Sequence, residues 1–428
     1  MFDSTKNKAN ADFALDWKHD KFLWLMVIAT ALLLRPVGLS FEGVQNYAYL
    51  HSVIFDRDLD FTNQYKPYLD NTHWYSGQEL ATDVATGLPV NRQTISPAVM
   101  WGPFLLPVFA VEELLGQTTS RGMSAYSFIA VSVATGFYGI IGLALVYVAL
   151  SKLLSLGAAR FATALIWLAS PLFHYIHFDT GTEHALGFFL FSIVLSFVLM
   201  KNRGWKICVI YGFSVGLVVT MRTGYVLVMV PLLLLESARF FQGGWKADRA
   251  RFMRAIAAFL GFLAPIFLQM VAWKTLHGTD WLAAISENSG TGFNLSRPDY
   301  LTEVLFSSHH GLFYWHPLLL LGFAGLFAPR ADVQYKTFAL MLFIAAWWWV
   351  GSMTQWWAGV SFGQRMFTVV LPSFALGAGY LYFYYPKFQR VLMVLLALGI
   401  LWNLGLIYQF ETNGISRRDP VTWRDMLP

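Results

Sequence analysis

Between Ser40 and Tyr65 the chain reads SFEGVQNYAYLHSVIFDRDLDFTNQY, placing Glu42, Asp56, Asp58 and Asp60 together in a protein only 13% charged. A carboxylate so placed can take the proton of an incoming hydroxyl or amine. Further along stand Lys66, His184, Arg222, His309, His310 and Arg365, several of them flanked by apolar residues. Arginine grips phosphate through a two-pronged fork of N–H groups. Ionisable groups at membrane depth are costly and mark functional sites. Acids, arginines and histidines at one membrane face suit chemistry on a phosphorylated lipid. Plainer readings stand beside this one. DRDLD also reads as a solvated turn, and Arg222 and Arg365 as side chains snorkelling to headgroups. Glu183-His184 reads as a helix N-terminus. The His309-His310 pair has no third ligand at helical spacing for a metal.

The elements that must position these groups are helices in a bilayer. The chain is 56% hydrophobic with a mean hydropathy of +0.50. Apolar runs of roughly 20 residues, each long enough to cross a bilayer, recur from Phe22 to Tyr408. In lipid the backbone must satisfy its own hydrogen bonds, and these runs are too long for barrel strands. The fold class is therefore an all-α polytopic membrane protein. The single cysteine, Cys208, excludes an internal disulfide and a thiolate metal cluster. The polar N-terminus lacks a cleavable signal pattern, which leaves the first helix as an uncleaved anchor. The charge of +5 is read as topology, not nucleic-acid binding.

Spans are expected at 22–40, 124–150, 158–176, 183–200, 206–221, 223–237, 254–274, 311–328, 335–352, 366–384 and 388–408, about 11 in all. The stretch 95–116, TISPAVMWGPFLLPVFAVEELL, decides the topology. If it lies along the outer face without crossing, most lysines and arginines fall on one side: Lys6, Lys8, Lys18 and Lys21, then Lys152, Arg160, Lys201, Arg203 and Lys206, then the WKADRARFMR cluster and Arg330, Lys336, Lys387 and Arg390. Its Pro103, Pro107 and Glu112-Glu113 also suit an interfacial helix. The same rule makes 206–237 a hairpin turning at Arg222-Thr223-Gly224. The expectation is one integral domain over 1–428 in a bacterial inner (plasma) membrane. Its N-terminus is cytoplasmic, its first outer loop is 41–123, and a last helix with an outer tail occupies 386–428. The Trp-rich stretch WWWVGSMTQWWAG reads as an interfacial aromatic belt.

In this order the pieces resemble the polyprenyl-phosphate-dependent membrane glycosyltransferases of the GT-C superfamily, closest to the bacterial protein-mannosyltransferase and aminoarabinose-transferase type. The resemblance covers roughly 22–385. It rests on the opening stretch with Tyr47, Tyr49 and Ser52, on Pro97, Trp101, Gly102 and Pro103, and on SPLFHYIHFDTGTEHALGFFL. It rests also on Arg222, on LFSSHHGLFYWHPLLLLGFAGL and on WWAGVSFGQRMFTVVLPSFAL. It implies transfer of a sugar from a polyprenyl-phosphate donor to a lipid, glycan or protein acceptor on the outer face, by inverting displacement. It implies a catalytic acid at Glu42, where the family has an aspartate, with Asp58 or Asp60 as alternatives. It implies phosphate binding by Arg222, Arg365 and His310, with Lys66 and His309 beside them. His184, Tyr47 and Gln364 are expected at the substrate. No metal cofactor is assigned, although the acidic loop offers oxygen ligands. If these roles hold, Glu42 faces Arg222 and Arg365 across a cavity with room for a sugar phosphate. A transporter or flippase of a lipid-linked sugar, and a catalytically inactive envelope scaffold, stay open as alternatives. Charge gathered at one face, not the midplane, speaks against the transporter.

Overall fold

The computed structural model describes residues 20–35, 37–71, 81–116, 122–200, 203–242, 249–278 and 294–427. Lys6, Lys8, Lys18, Lys201 and Lys246 of the charge pattern lie outside these. The chain opens with α1 (Lys21–Leu33), α2 (Phe41–His51, extended by a π-helical turn at Ser52–Asp56), α3 (Thr62–Asn71) and α4 (Ser96–Leu114). It continues with α5 (Ala125–Leu153), α6 (Leu156–Leu168), α7 (Leu172–His177), α8 (His184–Leu199), α9 (Trp205–Met221), α10 (Tyr225–Gln242) and α11 (Arg249–His277). There follow α12 (Leu301–Phe306), α13 (Leu312–Trp315), α14 (Leu319–Gly325), α15 (Val333–Gly351), a 3-10 turn at Arg365–Val370 leading into α16 (Leu371–Tyr384), α17 (Gln389–Glu411) and α18 (Trp423–Met426). Among the described residues the only extended pairing is an isolated bridge between Thr82 and Pro89.

Short polar side chains start several of these helices. Asp20, Ser40, Ser124, Ser155 and Asp332 each accept a backbone N–H in the first turn of α1, α2, α5, α6 and α15. That satisfies donors the helix itself leaves unpaired. Five helical stretches are long and apolar enough to cross a membrane: Ser96–Leu114, Ala125–Leu153, Arg249–His277, Arg365–Tyr384 and Pro386–Glu411. α1, α6, α8 and α9 are shorter apolar helices. Large apolar side chains on the bundle's outside, such as Phe267 on α11 and Leu401 on α17, stay exposed, as a lipid-facing surface requires. This is a multi-pass membrane protein.

Three expected spans are not single helices. The stretch 158–176 divides into α6 and α7 at Ala169–Pro171, 311–328 divides into α13 and α14 at His316-Pro317, and 366–384 begins as a 3-10 turn. Proline removes a backbone donor and pushes the preceding residue out of the helical region, so the first two breaks fall at Pro171 and Pro317.

α4 runs antiparallel to the first half of α5. The Tyr138 hydroxyl donates to the Met100 carbonyl at 2.9 Å, Trp101 Nε1 donates to Thr135 Oγ1 at 3.1 Å, and Ser124 donates to Glu112 near the far end. Ser96, at the start of α4, bonds Thr220 near the end of α9 at 2.6 Å. Tyr47 of α2 donates to the Gly122 carbonyl just before α5. α2, α4 and the head of α5 thus form one packed unit beside the Arg222 end of α9. On its other side α9 lies close against α11. A Cβ on Gly212 or Gly216 would strike the carbonyls of Ala258 and Phe262, the small-residue contact by which membrane helices approach each other.

Candidate active site

Four loops bring their charges to one point. Ser40 caps α2, which places Glu42 in its first turn, where the helix dipole favours a carboxylate. Arg222 follows the last residue of α9 in extended conformation. Glu183 stands just ahead of α8, and Arg365 opens the 3-10 turn before α16. Glu42 Oε1 accepts from Arg222 Nη2 at 2.5 Å and Oε2 from Arg365 Nη1 at 2.8 Å. Arg222 Nε donates to Glu183 Oε1. Glu183 therefore does not cap α8 with its side chain, as its place before the helix had suggested; it is 1% exposed and bound to Arg222.

Close backbone approach makes the junction. A Cβ on Gly43 would stand 3.0 Å from the Gly181 carbonyl and 3.2 Å from Leu39 Cβ. Glycines at 43 and 181 let the first turn of α2 lie directly on the loop that carries Glu183.

That loop also holds Asp179, which the sequence reading passed over. Burial raises its carboxyl to about 7; Arg365 opposes the shift, while Glu42 and Glu183 reinforce it. Asp179 is half-buried. The visible signal was the DTGTE turn itself: two acids bracketing a glycine at a break between two buried helices.

The expected residues divide into two groups. Glu42, Arg222 and Arg365 meet directly, with no gap for a sugar phosphate between them, because the guanidiniums close onto the nearest carboxylate. His184 is fully buried beside Glu183, with Nε2 3.8 Å from Glu183 Oε1 and neither ring nitrogen hydrogen-bonded. Gln364, next to Arg365, is buried and donates to the Trp356 carbonyl at 3.0 Å, with its Oε1 unpartnered. His310 is buried on the loop before α13 and bonds the Trp357 carbonyl through Nδ1 at 2.8 Å. Burial lowers its imidazole to about 4, and His309 and Arg365 add to that. At neutral pH it is an uncharged hydrogen-bonding group, not a cation. His309 stacks on Trp357, ring centroids 5.1 Å apart.

Asp58, Asp60 and Lys66 lie elsewhere. Asp58 Oδ1 accepts from Ser52 Oγ at 2.7 Å and from the Asp60 N–H. Asp60 Oδ1 accepts from the Thr62 N–H and hydroxyl at the start of α3. Both carboxylates are exposed and fix the turn. They follow the far end of α2, and the ten residues from Glu42 to Ser52 alone put about 15 Å between the two places. Lys66 is on the exposed face of α3. Tyr47 is fully buried and spends its hydroxyl on Gly122.

Glu42, Glu183 and His184 each offer a ligand atom within 4.8 Å of one another. Both oxygens of Glu42 and one of Glu183 are already bound to arginines. One free carboxylate oxygen and one imidazole then face a divalent ion beside two guanidinium charges. Two guanidinium charges at the same point oppose a divalent cation there.

No family model and no curated protein matches the sequence. Among solved structures, ArnT from Cupriavidus metallidurans bound to undecaprenyl phosphate superposes with a TM-score of 0.55 over 94% of this chain and 68% of that one, at 16% identity. The chain has the GT-C fold. The archaeal oligosaccharyltransferase AglB from Archaeoglobus fulgidus, in complex with an inhibitory peptide and a dolichol-phosphate, gives a TM-score of 0.46 at 12% identity. This chain covers 54% of that protein's length.

Proposed function

We propose that this GT-C-fold protein is a glycosyltransferase that moves a sugar from a polyprenyl-phosphate donor to a hydroxyl or amine acceptor at the outer membrane face. The observation that carries the reading is the half-buried Glu42–Arg222–Arg365 cluster with buried Glu183, at which the loop of Asp179 ends. Two guanidiniums held at one point are suited to a phosphate leaving group, and an acid titrating near neutral pH is suited to the acceptor's proton. ArnT, bound to undecaprenyl phosphate, makes a polyprenyl-phosphate donor the natural choice of substrate class.

Phosphate reaches the arginines by exchange: its oxygens replace Glu42 on Arg222 and Arg365. Asp179 then takes the acceptor's proton. The acceptor oxygen or nitrogen forms a bond to the anomeric carbon as the bond from that carbon to the phosphate oxygen breaks. The electron pair leaves with the polyprenyl phosphate, and its negative charge is met by the guanidiniums. Attack opposite the leaving group inverts the anomeric centre. Displaced Glu42 keeps the arginines oriented between turnovers. His184, Gln364 and His310 offer uncharged donors and acceptors for sugar hydroxyls. Because the arginines neutralise the carboxylates, the reaction is assigned no metal, and a chelator leaves the rate unchanged.

The test is reconstitution in liposomes with labelled polyprenyl-phosphate sugars and a membrane extract as acceptor source. Wild-type protein is expected to release polyprenyl phosphate and label an acceptor, while Arg365→Lys does neither. Equal background release by both proteins with every donor offered would sink the reading.

A further inference from the structure

The end of the bundle away from Glu42 holds a second group of charges that the proposed reaction does not use. α9 separates the two places: Arg222 follows its last residue and Arg203 precedes its first, about 25 Å apart along 17 helical residues. A cavity of about 1310 Å³ opens there between α9, α10 and α11. α9 packs along α11, whereas α10 leans on α15, which parts α10 from α11. Leu233 of α10 and Phe259 of α11 line the cavity and are 61% and 58% exposed. It therefore opens sideways, where the hydrocarbon of a bilayer would lie.

Its walls change character along their length. Arg203, Arg239, Arg251 and Arg254 line one end, and among the described residues Glu236 is the carboxylate that lines it with them. Glu236 holds two of them, Arg203 Nη1 at 2.6 Å and Arg239 Nη1 at 3.0 Å. Arg203 also lies over the Phe197 ring, 4.1 Å from its centroid. These contacts fix two guanidiniums in place, and Arg251 and Arg254 face them from the first turns of α11. Beyond the arginines the lining is apolar: Val215 and Val219 of α9, Met229 and Leu232 of α10, and Phe262 of α11.

We propose that this cavity binds one anionic phospholipid, its phosphate among the four arginines and its acyl chains along the apolar walls. Charge complementarity decides the head: among the described lining residues Arg203, Arg239 and Arg254 already outnumber Glu236, an excess of positive charge that a phosphate diester matches. The lateral opening and apolar depth decide that the ligand carries hydrocarbon chains. Drug-sized pockets run to roughly 300–1,000 Å³, and this one exceeds them, as a two-chained lipid needs. The sequence's charge pattern places this end in the cytoplasmic leaflet, so the lipid is drawn from the leaflet opposite the proposed transfer site.

The test needs no activity, so it stands or falls apart from the transferase reading. Full-length protein is purified in a neutral detergent and titrated with phosphatidylglycerol and with phosphatidylcholine of the same chains, with bound lipid read by native mass spectrometry. We expect phosphatidylglycerol to be retained about ten-fold or more over phosphatidylcholine, as two or more arginine contacts require. The preference should vanish in Arg251→Gln/Arg254→Gln. Val215→Trp, which fills the apolar depth and leaves every arginine in place, should lose the bound lipid. Lys387→Gln/Arg390→Gln, at the start of α17, should keep it. Equal binding of the two lipids, or an unchanged preference in both cavity variants, overturns the proposal. Competition by glycerol 3-phosphate at the same concentration would mark a headgroup site without a lipid and overturn it too. So would undecaprenyl phosphate displacing phosphatidylglycerol and being lost in the same variants.

Discussion

At the scale of single residues, the role of a carboxylate here follows from where it lies. Asp179 shows this best. Its carboxyl, raised to about 7 chiefly by burial, accepts a proton near physiological pH. Transfer should rise with pH up to about 7 and level off above it. Asp179→Asn should lower kcat by about 10²–10⁴-fold, the usual value of a positioned base, with donor KM little changed. The sign for stability is opposite. Because the folded-state value lies above the ordinary aspartate value of 3.8, Asp179 adds stability that is full below that value and lost as pH rises through about 7. Asn at this position should flatten that part of the Tm-against-pH curve. Arg222 makes a separate prediction. It reaches Glu183 through Nε and Glu42 through Nη2, which a single ammonium cannot do. Arg222→Lys should raise donor KM at least ten-fold, about the 1.4 kcal/mol of one charge-assisted bond. An unchanged KM would remove Arg222 from the phosphate site. Glu42, Arg222 and Arg365 were legible in the sequence because each is a charge set among apolar residues at a helix end. Asp58 and Asp60 were singled out by a density of acids that is also how a solvated turn reads, and they lie exposed and apart from Glu42, because periodicity does not record depth. Asp179 was missed although its DTGTE turn stood in view, because a turn's sequence alone does not show how far it is buried.

At the scale of elements, apolar length and charge bias gave the helices, while the stretches that break at Pro171 and Pro317 were read as unbroken spans. The hairpin of α9 and α10 was legible because two basic loops had to share a side. What periodicity could not give was the contact between α2 and the loop before α8, since it joins residues far apart in sequence. That contact depends on Gly43 meeting the Gly181 carbonyl, where a Cβ would sit at 3.0 Å. Gly43→Val should push α2 off the loop and carry Glu42 away from Arg222. A displacement near 1 Å at such a site costs about 10²-fold in rate. The expected outcome is a loss of kcat of that size with the helical content unchanged by circular dichroism. Full activity in this variant would show that the junction does not position the site.

At the scale of the whole molecule, the end of α17 and the chain after it tie together segments from α1, α7 and the loop of the two histidines. Glu411, at the end of α17, accepts from Arg35 Nη2 beyond α1 at 2.9 Å and bonds His174 Nε2 of α7 at 3.0 Å. Beyond it the tail bonds the loop of the two histidines, Val421 N–H to the Ser308 carbonyl at 3.2 Å. Trp423 packs on Tyr314 and Trp402, ring centroids 4.9 and 5.3 Å apart. The sequence left this tail without a role because it carries no motif; its contacts with Ser308 and Tyr314 hold the loop of the two histidines. His310, on the loop so pinned, has φ of +62°, a left-handed conformation that a non-glycine residue keeps only where its surroundings enforce it. Removing residues 412–428 takes away that support but leaves Glu411 and the charge cluster in place. The truncated protein should therefore bind polyprenyl phosphate as before and turn over more slowly, with the 307–311 loop newly open to proteolysis. Loss of phosphate binding in step with turnover would mean that the tail holds the arginines themselves, and that the cluster is not the self-supporting unit its own ion pairs make it.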